Sequence, residues 1–248
     1  MTKDGGRRIA TPRGAMLADP HCLGNLPDAA GEALFDPQFW AARGALGAVS
    51  AGRGAAWFVD CGSCQWVLRH YRRGGFVARI AHDQYVWAGE GRVRAFAEYR
   101  MLERLTERGL PVPKPVAARY RRSGVIYRCD LIVERIADAK PLSSMLAAAV
   151  LSDASWRAIG ATIARLHREG VDHADLNAHN ILLDGRGAVS AIDFDRCRLR
   201  GPGAWTMRNL RRLHRSLAKI SRELPADRFP AAAWDSLLAG YDSSAGQP

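Results

Sequence analysis

The chain has 248 residues, 48% hydrophobic and 25% charged, a composition that suits a folded globular protein and excludes a disordered one. Its longest notable apolar run, Met145 to Leu151, is seven residues. A helix crossing a bilayer needs roughly 20, so no such span is expected. The formal charge of +11 favours polyanionic partners over cationic ones.

The basic start, Met1 to Arg8, is not followed by the apolar core that a secretory signal requires, which makes the cytoplasm the expected compartment. Five cysteines, an odd number, are accordingly expected as reduced thiols. Within Cys61-Gly62-Ser63-Cys64 the expectation is a tight turn between strands, because no second CxxC or HxxxH completes a four-ligand zinc site.

Residues 1 to 36 carry Pro12, Pro20 and Pro27 without clear periodicity and read as an irregular leader. Leu46 to Tyr71 reads as a meander of three antiparallel strands broken at Gly52-Arg53-Gly54 and at Cys61 to Cys64. Apolar residues at Phe96, Tyr99, Met101, Leu102 and Leu105 predict a helix from Arg94 to Arg108, with Gly109 placed to end it. Val125 to Tyr127 and Leu131 to Val133 suggest two further strands, giving a first lobe of five strands and one helix.

Beyond residue 136 the chain is expected to be mostly helical. Ser152 is a predicted N-cap and Gly170 a stop, around a buried stripe of Trp156, Ile159, Ile163 and Leu166. A hairpin is predicted from Ile181-Leu182-Leu183 through the turn Asp184 to Gly187 and on to Val189 to Ile192. A final helix is expected from about Trp205, with Leu210, Leu213, Leu217 and Ile220 on its apolar stripe. The fold class is therefore α+β with two lobes: an antiparallel sheet carrying one helix over residues 37 to 136, and a mostly helical part over 137 to 248.

The chemistry is concentrated in His173-Ala174-Asp175-Leu176-Asn177-Ala178-His179-Asn180 and, thirteen residues after Asn180, Asp193-Phe194-Asp195. An Asp, an Asn five positions on and a second Asp closing a hairpin are the parts that phosphoryl transfer from ATP needs. Asp175 would meet the acceptor hydroxyl as a base, while the Asn180 amide oxygen and the Asp193 carboxylate are hard ligands suited to Mg²⁺. His173 is expected to pack and hydrogen-bond structurally, with no proton-transfer role. From Arg196 to Arg222 there are nine Lys or Arg residues and no acidic one, a block that attracts anionic partners.

On these motifs the chain resembles the protein-kinase-like superfamily, over roughly residues 45 to 240. His173-Ala174-Asp175 corresponds to the kinase His-Arg-Asp pattern and Asp193-Phe194-Asp195 to Asp-Phe-Gly. Ala174 in place of Arg, Asp195 in place of Gly and the absence of Ala-Pro-Glu point away from phosphorylation-switched protein kinases. The resemblance implies that Arg69 replaces the usual Lys that clamps the α and β phosphates, with Glu98 as its carboxylate partner and Glu103 the second option. It further implies that Gly52 and Gly54 cover the phosphates and that backbone groups from Glu134 to Ile136 meet adenine.

Gly52 to Val59, Val67 to Gly75 and Arg208-Asn209-Leu210-Arg211-Arg212-Leu213 are similar to the lipopolysaccharide-core sugar kinases. For that family the resemblance implies phosphorylation of the 4-hydroxyl of a 3-deoxy-D-manno-octulosonic acid (Kdo) sugar on Kdo-lipid IVA. The enzyme would act as a peripheral protein on the cytoplasmic face of an anionic inner membrane, with no nucleic-acid partner. A heptose kinase of the same core is the nearest alternative. A pseudokinase binding module is the non-enzymatic one, motivated by the missing Lys.

Overall fold

The structure is a computed structural model describing residues 6–23, 31–50, 56–62, 64–72 and 82–245. It divides into two compact units, residues 1–107 with 113–135, and residues 108–112 with 136–248.

The first unit is built on an antiparallel sheet. Its strands are β1 (Arg7–Thr11), β2 (Gly14–Ala18), β3 (Leu46–Ser50), β4 (Ala56–Asp60), β5 (Gln65–His70), β6 (Tyr85–Val86), β7 (Pro115–Ser123) and β8 (Ile126–Glu134). They lie in the order β1-β2-β7-β8-β5-β4-β3, with β6 also paired to β8. The expected meander is present as β3-β4-β5. The phosphate-covering turn assigned to Gly52 and Gly54 lies outside the described residues.

Alternation along β5 decides what each side chain meets. Trp66 and Leu68 are buried on one face, where the Trp40 ring, from the short helix Pro37–Ala41, meets Trp66 edge-on at 5.8 Å. Arg69 therefore faces the other way, toward the helix Arg94–Glu107, which packs on β7 and β8 through its buried Phe96, Tyr99, Leu102 and Leu105. That helix ends where the sequence predicts, and Gly109 follows it at φ +67°, a conformation glycine reaches without a Cβ penalty.

Three expectations for this unit are corrected. Residues 7–18 are not an irregular leader but a hairpin whose second strand pairs with β7 from Gly14↔Arg121 to Ala18↔Ala117. Ala15 to Ala18 is a continuous buried run, so it lacks the alternation that reveals a half-exposed strand, and Pro12 marks the turn between β1 and β2. The two short strands expected after residue 124 are one nine-residue strand, and its partner β7 was not foreseen. Within this pair of strands Arg119 and Asp130 are buried opposite each other and paired at 2.8 Å. Finally, Cys61 and Cys64, expected as separate thiols, are held with their Cα atoms 5.5 Å apart, within the span a disulfide bridges.

The second unit holds β9 (Lys140–Pro141), β10 (Val171–Asp172), β11 (Ile181–Leu183), β12 (Val189–Ala191) and β13 (Arg198–Leu199), arranged as the small sheets β10-β13 and β12-β11-β9. Its longer helices are Asp153–Arg168, Trp205–Ser221 and Ala231–Ala245, here named αA, αB and αC. Ser152 caps αA by accepting the Ser155 N–H at 3.2 Å, and Trp156, Ile159 and Ile163 enter a core completed by Leu210, Leu213, Leu217 and Leu237. αB is therefore not the final helix as expected. αC is rich in small residues, whose weak hydrophobic pattern hides it in the sequence.

αA and αC approach through reciprocal glycines. A Cβ on Gly160 would fall 1.9 Å from the Leu237 carbonyl oxygen, and one on Gly240 would fall 2.1 Å from that of Arg157. Neither backbone can yield without separating the helices. Gly160→Ala is expected to destabilise the second unit by about 1–3 kcal/mol. Gly185→Ala, at a turn glycine whose Cβ meets nothing within 4 Å among the described residues, should change stability little. Denaturant titration of both variants checks this.

Candidate active site

αA delivers the chain through β10 into the loop 173–180, and this loop is held from within by its own amides. The Asp175 carbonyl accepts hydrogen bonds from Asn177 Nδ2 at 3.0 Å and Asn180 Nδ2 at 2.9 Å. The Asn177 side-chain oxygen in turn accepts the His179 N–H at 2.8 Å. Asn180 is buried, and with its nitrogen turned to Asp175 its amide oxygen is the end left to meet a cation.

The same loop fixes the position of Asp193. The Ile192 N–H donates to the Asn180 carbonyl at 2.9 Å, and the Ile192 carbonyl accepts from His173 Nε2 at 3.1 Å. Since a carbonyl only accepts, His173 carries its proton on Nε2. That ring is buried and lies edge-on to Phe194 at 5.0 Å. Both sides of the Ile192 peptide are thus bound by loop residues, one position before Asp193. Asp193 itself has φ +66°, a left-handed conformation that costs a non-glycine residue on the order of 1 kcal/mol or more and persists where surrounding structure imposes it.

The Asp175 carboxylate has a partner that sequence reading assigned only to a general basic block. Arg212 Nε and Nη2 both donate to Asp175 Oδ1, at 3.0 and 2.5 Å. Arg212 lies on αB, and two more residues of that helix reach the carboxylate of Asp172, the last residue of β10. Asn209 Nδ2 donates to Asp172 Oδ1 at 2.9 Å, and Arg208 Nη2 lies 3.6 Å from Asp172 Oδ2, which also pairs with Arg200 Nε at 2.8 Å. Positions 208, 209 and 212 share one face of a helix, and that spacing is the signal that could have singled them out.

In the first unit, Arg69 Nη1 donates to Glu98 Oε1 at 2.9 Å, while Glu103 is not its partner among the pairs described. Glu98 is only 2% exposed, and its second oxygen accepts from the Tyr71 hydroxyl. Burial, and then the Glu98 charge, push the Tyr71 phenol well above its ordinary pKa, so it remains a donor. Tyr71 was not foreseen, although its place two residues after Arg69 puts both on one face of the strand direction.

On the segment joining the two units, the Glu134 N–H already donates to the Lys114 carbonyl at 2.8 Å and the Arg135 N–H to the Gln65 carbonyl at 2.7 Å. These amides are committed to the first unit's own backbone. Any base contact by Glu134 would therefore use its carbonyl rather than its N–H.

An antiparallel sheet lobe with an Arg–Glu pair, and a helical unit with an Asp-Asn loop locked to a second Asp, define a kinase-like phosphotransferase acting on a hydroxyl group. The profile of the lipopolysaccharide kinase (Kdo/WaaP) family matches residues 37–241, and the chain belongs to this family. It is 50% identical over 191 residues, 77% of this chain and 76% of the relative, to a protein of Stenotrophomonas maltophilia strain K279a named 3-deoxy-D-manno-octulosonic acid kinase. Proteins of the same name from Xanthomonas euvesicatoria and Photobacterium profundum are 50% and 43% identical. They cover 84% and 90% of this chain, and 81% and 93% of their own lengths are matched.

Glu98→Ala leaves the Arg69 cation and the buried Tyr71 hydroxyl without their shared acceptor and is expected to destabilise the first unit by about 2–4 kcal/mol. Glu98→Gln keeps an acceptor oxygen and should lose less. Thermal denaturation of the two variants side by side reads the difference.

Proposed function

We propose that the chain transfers the γ-phosphoryl group of ATP to the 4-hydroxyl of the Kdo sugar on Kdo-lipid IVA, in lipopolysaccharide core biosynthesis. The observation that carries this reading is the loop in which the Asn180 side-chain amide bonds the Asp175 carbonyl and the Asn180 carbonyl bonds the Ile192 N–H, tying residues 175, 180 and 192, next to Asp193, into one backbone frame. The names of the relatives supply the sugar.

In this reading Asp175 orients the acceptor hydroxyl and takes its proton as the bond to phosphorus forms. Asn180 and Asp193 hold Mg²⁺; one carboxylate and one amide oxygen are hard donors, and the commitment of the Asn180 nitrogen to Asp175 supports use of its oxygen. When bound, the metal neutralises charge on the phosphate oxygens. Arg69, braced by Glu98, grips the α and β phosphates with a fork that matches two oxygens. Gly52 and Gly54 cover the phosphates, and the Glu134 carbonyl and Ile136 backbone meet adenine.

No helix among the described residues is long and apolar enough to cross a membrane. We assign membrane contact to αB instead, as a peripheral attachment to the cytoplasmic face of the inner membrane. Arg211, Arg215, Lys219 and Arg222 are exposed along this helix and its end. Each basic residue near an anionic surface contributes about 1 kcal/mol to attraction.

Incubation with labelled ATP and Kdo-lipid IVA, followed by locating the new phosphate, tests the reaction. Asp175→Ala should lower turnover by about 10²- to 10⁴-fold while ATP binding is retained. Phosphate appearing on the heptose of a heptose-extended acceptor offered in parallel, and never on Kdo, would move the assignment to the alternative sugar. Changing Arg211, Arg215, Lys219 and Arg222 to Glu should weaken sedimentation with phosphatidylglycerol vesicles; unchanged sedimentation removes the docking role.

A further inference from the structure

Arg212 meets Asp175 in an unusual way for a guanidinium and a carboxylate. Its Nε and Nη2 donors form the edge that takes a carboxylate through two parallel hydrogen bonds, one to each oxygen. Here both converge on Oδ1 alone, at 3.0 and 2.5 Å. The edge is occupied, but its geometric match to a carboxylate is only half used. The Arg212 and Asp175 side chains are 48% and 47% exposed, so water screens the pair and exchanging it for another anion costs little.

The neighbouring arginines differ. Arg200 and Arg208 both lie at Asp172, whose side chain is 12% exposed and is also fixed by Asn209. Asp172 is therefore a permanent counter-charge built into the loop's base. Arg212 is the member of this row whose partner is itself the proposed base and stands open to solvent. Any acceptor that brings a hydroxyl to Asp175 necessarily comes within reach of Arg212.

We propose that Arg212 is the acceptor-recognising residue: it takes the carboxylate of the sugar acid in the two-bond mode, displacing Asp175 Oδ1, and so selects acceptors that carry a carboxylate near the hydroxyl to be phosphorylated. The proposal rests on the sugar-acid reading above. Without an acceptor the guanidinium holds Asp175; with one, the sugar's carboxylate replaces it and Asp175 turns to the hydroxyl. Neutral sugars and water offer nothing to displace Asp175 from the guanidinium.

The test is a cycle between enzyme and substrate, using Kdo-lipid IVA and its Kdo carboxamide with the wild-type chain, Arg212→Gln and Arg212→Lys. Loss of a charge-assisted contact should raise the wild-type acceptor KM for the carboxamide by about tenfold to hundredfold, with the KM for ATP unchanged. Arg212→Gln should show that raised KM already for the acid, and amidation should then add little. Arg212→Lys, a point charge without the fork, should fall between. Equal KM values for acid and carboxamide in the wild type, or independent multiplication of the two effects, overturn the inference alone. A wild-type chain inert toward Kdo-lipid IVA overturns the sugar-acid reading and this inference with it.

Discussion

The carbonyl oxygen of Asp175 is the point from which the second unit's chemistry is organised. It accepts two side-chain amides, from Asn177 and Asn180, and so converts eight residues of irregular backbone into a fixed shape. Because Asn180 also receives the Ile192 N–H, this shape extends across the hairpin to Asp193. A loop without secondary structure normally varies more than the elements around it. Here the polar groups of the loop satisfy one another, and the left-handed backbone of Asp193 is imposed by what holds Ile192 on both sides.

Charge on αB has two distinct destinations. Composition alone describes a stretch of nine cations without an acid, and a general anionic attraction follows from that. Pairing separates the set: Arg208 and Arg212 meet the carboxylates of Asp172 and Asp175, whereas Arg215 and Lys219, three and seven positions after Arg212, continue the same helical stripe toward the end of αB and are exposed.

The first unit shows which features are legible in a linear sequence. The β3-β4-β5 meander and the helix Arg94–Glu107 are visible because their apolar residues recur at the strand and helix periods and because Gly62 and Gly109 mark their ends. β7 is not visible, because its buried face includes Arg119, a residue that reads as exposed until Asp130 on the neighbouring strand neutralises it. The hairpin of residues 7–18 is hidden for the opposite reason: its second strand is buried continuously from Ala15 to Ala18 and shows no alternation.

The candidate site divides along the same line. Asp175, Asn180 and Asp193 are readable from their spacing, since a loop and a hairpin of known lengths bring residues near in sequence to one another, and Glu98 follows from its place on a helix face. Motif spacing singles out the first three, whereas Glu98 rests on the kinase resemblance together with its place on the helix stripe. The partnership of Arg212 with Asp175, of Arg208 and Asn209 with Asp172, and of Tyr71 with Glu98 joins residues 37, 36, 37 and 27 positions apart. Contacts of that range depend on how separate elements pack, and only the tertiary structure could decide which of 32 arginines meets the Asp175 carboxylate.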